Sequence, residues 1–298
     1  QPKRILVLTS KITLSYDLLG GFDGLGFQHY KDIAPDLKYV GTSMEHVNRQ
    51  CKIIAANRLI MSIHSLHYLN QCQIPFDLIV ADEIKDLWNA FSSKNCMKHM
   101  NGRDVFDDNY MTLCDNIDSC LKTGGKAFFM DALMPASVKE WVRSISDKAT
   151  IKTCKVLKDI PRTAHLIRKR SIEPMVKKML EKLNDGKNIY VYYPYAGEKG
   201  HYKLSIRQFG QMLCDKAGLD FGTNYDKDII IIQGDTDCEI KKQLKNVNVL
   251  WNNRRIILVN SATTIGVSYQ VENISSVFLC WDRFIPISDI LQTSVRCR

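Results

Sequence analysis

The chain has 298 residues, 45% hydrophobic and 24% charged, with a net charge of +9. That is material for about two domains with apolar cores, and the basic balance favours an anionic partner, nucleic acid or nucleotide, without specifying a fold. No apolar run approaches the roughly 18 residues that span a bilayer, no signal peptide is visible, and none of the ten cysteines forms a Cys-x-x-Cys pair. These features argue against a membrane protein, a secreted protein and a zinc site, and the cysteines read as free thiols in a reducing, intracellular compartment.

Residues 4–9 predict a first strand, followed by Ser10, Lys11 and Thr13 where a helical pattern through Leu14, Leu18 and Leu19 begins. Hydroxyls and a cation at a strand-to-helix corner suit phosphate binding; a plain helix cap is the alternative. Gly20 and Gly21 end the helix, and 22–34 reads as a glycine-bearing connection. Its Gly-x-x-Gly-x-Gly is not a dinucleotide fingerprint, because no buried strand precedes it. Residues 37–40 and 57–63 predict two further strands, the latter followed by His64, Ser65, Leu66 and His67, which open a short helix. Those histidines have no carboxylate or cysteine companion and read as surface or capping groups.

The apolar run 78–81 ends abruptly in Asp82 and Glu83. A short run bounded this way predicts a buried parallel strand, and open α/β sheets place ligand chemistry at the carboxyl ends of such strands. Two adjacent carboxylates there suit a nucleotide site, Asp82 holding magnesium and Glu83 activating the attacking water. The alternative is a core strand leaving through a charged loop. A helix over 87–91, a polar solvated stretch over 92–109 and a helix over 110–121 follow, stopped by Thr123-Gly124-Gly125. Residues 126–130 predict another buried strand, ending in Asp131, an acid positioned to sense a γ-phosphate. Gly124-Gly125-Lys126 is not a phosphate loop, since Ala127 stands where Ser or Thr is required. After a helix over 136–145 and a basic strand-like run near 151–157, the cation-rich stretch 158–172 predicts a domain boundary near 163.

The second half alternates again: helices over 173–183, 206–217 and 239–244, strands over 188–193, 228–233, 255–260 and 276–280, and a helix from 285. Both halves therefore predict parallel α/β sheets. Residues 261–268 gather hydroxyls, Thr263 and Thr264 among them, around Gly266, a composition that grips phosphates without reading sequence or forms a plain polar loop. Gln292 and Arg296, four apart, share a helix face with Arg298 close behind. A guanidinium there suits the role of an arginine finger; a basic tail is the alternative.

Taken in order, a Thr-Ser-Lys corner, a Ser-x-x-Ser turn, Asp-Glu, Asp-Ala, a hydroxyl-glycine loop and a Gln-xxx-Arg-x-Arg end resemble the ordered motifs of superfamily 2 helicases. More specifically, residues 6–11, 26–32, 57–69, 80–84, 130–133, 261–269 and 292–298 are similar to the DEAD-like helicase core of the herpesvirus-type replication-origin-binding protein family of large DNA viruses. The resemblance covers nearly the whole chain. It implies two RecA-like parallel-sheet domains, 1–162 and 163–298, with a nucleotide cleft between them. It also implies ATP and magnesium as cofactors, single-stranded or forked DNA and other replication proteins as partners, and a viral replication site or host nucleus as location.

By the same resemblance, Asp82 holds magnesium, Glu83 activates water and Asp131 couples the nucleotide to strand movement. Thr9, Ser10, Lys11, Ser62, Thr263 and Thr264 touch the DNA backbone, Gly266 lies near ribose and phosphates, and Gln292, Arg296 and Arg298 face the γ-phosphate. The sequence departs from the family in lacking any Gly-x-x-x-x-Gly-Lys-Ser/Thr. The expectation is a fragment whose first domain lacks its phosphate-loop strand and which does not hydrolyse ATP alone. An ATPase-inactive nucleic-acid-binding scaffold and an RNA helicase are the competing readings.

Overall fold

The computed structural model describes residues 3–34, 44–70, 74–91, 99–100, 103–131, 134–152, 171–195, 204–222, 228–234, 243–260 and 273–280, with 163, 165, 236, 240, 269 and 271 singly. Contacts divide the chain into two units, Gln1–Ile151 and Lys152–Arg298. The sequence expectation of a boundary near 163 lies just past 153–162, which are outside the described residues.

The first unit runs β1 (Ile5–Thr9), α1 (Ile12–Gly21), β2 (Gln28–His29), α2 (Tyr30–Ile33), α3 (Met44–Ala55) and β3 (Arg58–Ser62), then a 3-10 turn over Ile63–Leu69. It continues through β4 (Leu78–Ala81), α4 (Ile84–Phe91), β5 (His99–Met100), β6 (Arg103–Asp104), α5 (Val105–Lys122), β7 (Lys126–Phe129) and α6 (Ala136–Ile145). β5 and β6 form a small antiparallel pair. The other five strands make one parallel sheet in the order β2-β3-β1-β4-β7. Its strands are continuous apolar runs, as expected where helices cover a parallel sheet.

The two faces of this sheet differ. On one, the rows Leu59–Leu6–Ile79 and Met61–Leu8–Ala81 are fully buried against Ile53 of α3, Ile117 of α5 and Val138 of α6. On the other, a single register row runs Ile60–Val7–Val80–Phe128. Ile60 and Val7 are buried beneath α1, Val80 is half-buried, and Phe128 is 53% exposed. Cover fades toward β7, which is an edge of the sheet.

Two readings of this half need correction. The connection 22–34 contains a strand and a short helix: Gln28–His29 pairs in parallel with β3, and Tyr30–Ile33 is helical. A buried network holds it. Lys31 N–H donates to His29 Nδ1 at 3.2 Å, so the other ring nitrogen carries the proton and donates to Ser15 Oγ at 2.7 Å, whose hydroxyl donates to the Ile12 carbonyl at 2.6 Å. The stretch 92–109 is also not solvated throughout, because α5 begins at Val105 and Asn109 is buried. Helix α3 has no counterpart in the sequence expectation; among its described side chains Ile53 is the fully buried one. The strand expected at 37–40 lies outside the described residues.

The second unit runs α7 (Glu173–Asn184), β8 (Asn188–Tyr192), α8 (Ile206–Ala217), β9 (Ile229–Ile232), a 3-10 turn over Leu244–Asn246, α9 (Val247–Asn252), β10 (Ile256–Val259) and β11 (Ile274–Leu279). The sheet is parallel, in the order β11-β8-β10-β9. Ser205 and Gln208 close a capping box at the start of α8, and Gly218, with a φ of 65°, ends it. Both faces are packed: Ile189, Val191, Ile256 and Leu258 against α7 and α8, and Tyr190, Ile257, Val259 and Ile232 against Val247, Leu250 and Trp251. Of the helix expected over 239–244, residues 240 and 243 are helical and 239, 241 and 242 lie outside the described residues; the 3-10 turn and α9 follow.

Candidate active site

The carboxyl ends of four adjacent strands bring the first unit's predicted residues into one row: Ser62 as the last residue of β3, Thr9 as the last of β1 with Ser10 next, Asp82 and Glu83 after β4, and Asp131 just beyond β7. Parallel register does this directly, pairing Thr9 with Ser62, Leu8 with Ala81, and Ala81 with Phe129.

Backbone bonds stitch the acidic end of the row together. Asp82 N–H donates to the Leu8 carbonyl at 3.2 Å, Met130 N–H to the Ala81 carbonyl at 2.9 Å, and Ile84 N–H to the Met130 carbonyl at 3.0 Å. Asp82 Oδ1 accepts from Glu83 N–H at 3.1 Å. Asp131 Oδ2 accepts from Lys85 N–H at 2.8 Å, so the tip of β7 caps the first turn of α4. Glu83 sits between them with a φ of 54°, the left-handed region that side chains with a Cβ avoid. Such strain persists where the surroundings over-determine it, which favours ligand sites.

The hydroxyl end behaves differently. Thr9 Oγ1 donates to the Lys11 carbonyl at 3.0 Å, committing its proton to the corner that starts α1. Ser10 and Ser62 are 5% and 1% exposed, and the Oγ of each is buried without a hydrogen-bond partner among the described residues. Buried hydroxyls are ordinarily bonded, so two unmatched donors on neighbouring strand tips fit an anionic ligand that accepts from both.

The acids also fit a nucleotide-borne magnesium ion. Among the described residues no group of three or more His, Cys, Asp or Glu is arranged to hold a metal by itself. A single tip carboxylate such as Asp82 instead suits an ion whose remaining ligands are phosphate oxygens and water. His64, on the turn after Ser62, has its imidazole pKa lowered by burial and favours the neutral form. His67 is held by α5, its N–H donating to Asn109 Oδ1 at 2.7 Å. Thr263, Thr264, Gly266, Gln292, Arg296 and Arg298 lie outside the described residues.

No family model matches the chain. Over 283 residues it is 22% identical to a protein of Acanthamoeba polyphaga mimivirus that carries the name of a replication origin-binding protein, a match covering 93% of this chain and 30% of that one. In structure it is similar to the Mycobacterium smegmatis helicase Lhr, solved with single-stranded DNA and AMP-PNP, with a TM-score of 0.50 and 12% identity over 94% of this chain and 40% of that one. The fold is that of two RecA-like parallel-sheet domains, as in that structure. The chain thus spans less than half the length of either protein.

Within this helicase-like fold, the sequence reading passed over two residues at the corresponding edge of the second unit. Gln233 and Asn260, both buried, follow β9 and β10 as Asp82 follows β4. The same signal marks them, an apolar run cut by a polar residue, but without charge it reads as an ordinary strand end. Asn109, which holds the turn after Ser62, was likewise hidden in a polar stretch.

Proposed function

We propose that the chain is the motor core of an ATP-dependent DNA helicase or translocase acting in replication at origins, in a large DNA virus. The observation that carries this reading is the row of strand tips on the first unit, with acids on β4 and β7 and unmatched hydroxyls on β1 and β3. In the proposed roles, Asp82 holds the magnesium that accompanies ATP, and Glu83 positions water and takes its proton. Asp131 links the nucleotide to the start of α4. Ser10, Ser62 and Lys11 hold phosphates of the DNA backbone, with Thr9 shaping their corner. Thr263, Thr264 and Gly266 share that work in the second unit, and Gln292, Arg296 and Arg298 face the γ-phosphate. Magnesium, when bound, neutralises phosphate charge. The mimivirus relative named for origin binding and the helicase solved with single-stranded DNA and AMP-PNP support the same assignment.

The fading row Ile60–Val7–Val80–Phe128 supports a second part of the proposal. A further parallel strand, carrying the phosphate loop and followed by a helix over Phe128, completes the sheet beyond β7. Met130, 47% exposed at the same tip, lies under that cover too.

Single-turnover ATP hydrolysis, with and without single-stranded DNA, tests the proposal on a polypeptide extended upstream through such a strand. Hydrolysis stimulated by DNA, and reduced about 100-fold or more by Glu83→Gln, is the expected outcome. DNA binding without hydrolysis in the extended polypeptide would leave a scaffold that binds nucleic acid through the hydroxyl tips alone.

A further inference from the structure

The carboxyl edge of the second unit's sheet carries a group that none of these roles uses. β9 is four isoleucines, Ile229–Ile232, and the next residue is Gln233, 5% exposed. Ile232 pairs with Val259 of β10, and Asn260 N–H donates to the Ile232 carbonyl at 3.2 Å, so Gln233 and Asn260 occupy neighbouring tips. The backbone of Gln233 is settled locally: its N–H donates to Thr236 Oγ1 at 2.8 Å, and its carbonyl accepts from Thr236 N–H at 3.1 Å. Its side-chain Oε1, by contrast, is buried and has no hydrogen-bond partner among the described residues. A turn that fixes the backbone and leaves an amide oxygen dry and unmatched is destabilising by itself. It is accounted for where a ligand brings the missing donor.

We infer that Gln233 is a nucleic-acid contact of the second unit, accepting a hydrogen bond from the nucleoside part of a bound single strand. The chemistry selects the partner. In this amide orientation the unmatched atom, Oε1, can only accept, and so can a phosphodiester at neutral pH, so the backbone phosphates do not satisfy it. A base N–H or a sugar 2′-hydroxyl can. Ser10 and Ser62 are the complement, hydroxyls able to donate to phosphate. This inference rests on the nucleic-acid reading proposed above.

The test measures binding of the full chain to three strands of about 16 nucleotides: oligo-dT, oligo-rU and an abasic deoxyribose-phosphate chain. Wild type is compared with Gln233→Met and with the Ser10→Ala, Ser62→Ala double variant. Methionine keeps the length of the side chain and removes the unmatched amide oxygen, so the unfolding temperature is expected to hold or rise. Gln233→Met should weaken binding about three- to ten-fold to a strand carrying the donor and leave the abasic strand unaffected. Equal loss on dT and rU identifies a base N–H; loss on rU alone identifies the 2′-hydroxyl. If Gln233→Met binds all three strands as wild type does, or loses equally on all three, the contact is overturned. A weakened double serine variant in that case keeps the nucleic-acid reading intact, whereas a wild-type chain that binds none of the strands overturns both.

Discussion

Glu83 is the single non-glycine residue with a left-handed φ among those described, and it lies just past the end of β4. The left-handed region costs a Cβ-bearing residue roughly 1–2 kcal/mol, partly offset by the extra unfolded-state entropy of the glycine that would relieve it. Glu83→Gly should therefore unfold at a higher temperature than Glu83→Ala, by about 1 kcal/mol in stability, while both lack the carboxylate. Thermal melts of the pair check this, and equal stability would show that the strain is absorbed elsewhere. At this scale the sequence was most legible where charge interrupted an apolar run. Asp82, Glu83 and Asp131 announced themselves that way. Ser62 did not, because a hydroxyl after an apolar run is common, and only the resemblance singled it out. Gln233 escaped for a related reason: its significance lies in the missing partner of Oε1, a property of packing that no spacing of residue types records.

Among elements, the tie between the starts of β1 and β4 makes a pH-dependent contribution. Asp77 Oδ2 accepts from Lys3 N–H at 2.7 Å and from Arg4 N–H at 2.8 Å. These bonds, that from Arg4 first, hold its carboxyl below the ordinary value of 3.8. A pKa lower in the folded than in the unfolded chain gives stability that is present above the unfolded value and lost as pH falls through the folded one. Unfolding followed from pH 6 down to about pH 2 should show Asp77→Asn less stable than wild type at the upper end and the two curves converging at the acid end. Curves that stay parallel would assign the tie no role in stability. The glycine stop ahead of β7 is a second such joint: a Cβ on Gly125 would sit 2.8 Å from the Asp77 carbonyl and 2.6 Å from Cys120 Sγ. The stop itself was legible, since glycines ending a helical pattern punctuate by their backbone freedom. That one of them approaches the residue just before β4 was not, because the contact joins residues far apart in sequence. β2 shows the opposite limit, a two-residue strand too short to display any period and held by His29 rather than by propensity.

For the molecule as a whole, alternation of strand and helix made two parallel sheets predictable, because strands covered on both faces become unbroken apolar runs such as Ile229–Ile232 and Ile256–Val259. Strand order was not predictable in that way; it follows from how each crossover packs, and it is the order that places β7 at the rim. That rim governs how the polypeptide behaves in a test tube. A parallel strand with open backbone groups and Phe128 bare on one face is a template for any extended segment, another copy of itself included. Two such rims can meet antiparallel about a two-fold axis, fusing a pair of sheets into one. The 298-residue polypeptide should accordingly self-associate as its concentration rises, with Phe128→Lys restoring the monomer in sedimentation runs, and a polypeptide whose own upstream strand occupies the rim should need no such substitution. Self-association indifferent to Phe128 would place the sticky surface elsewhere.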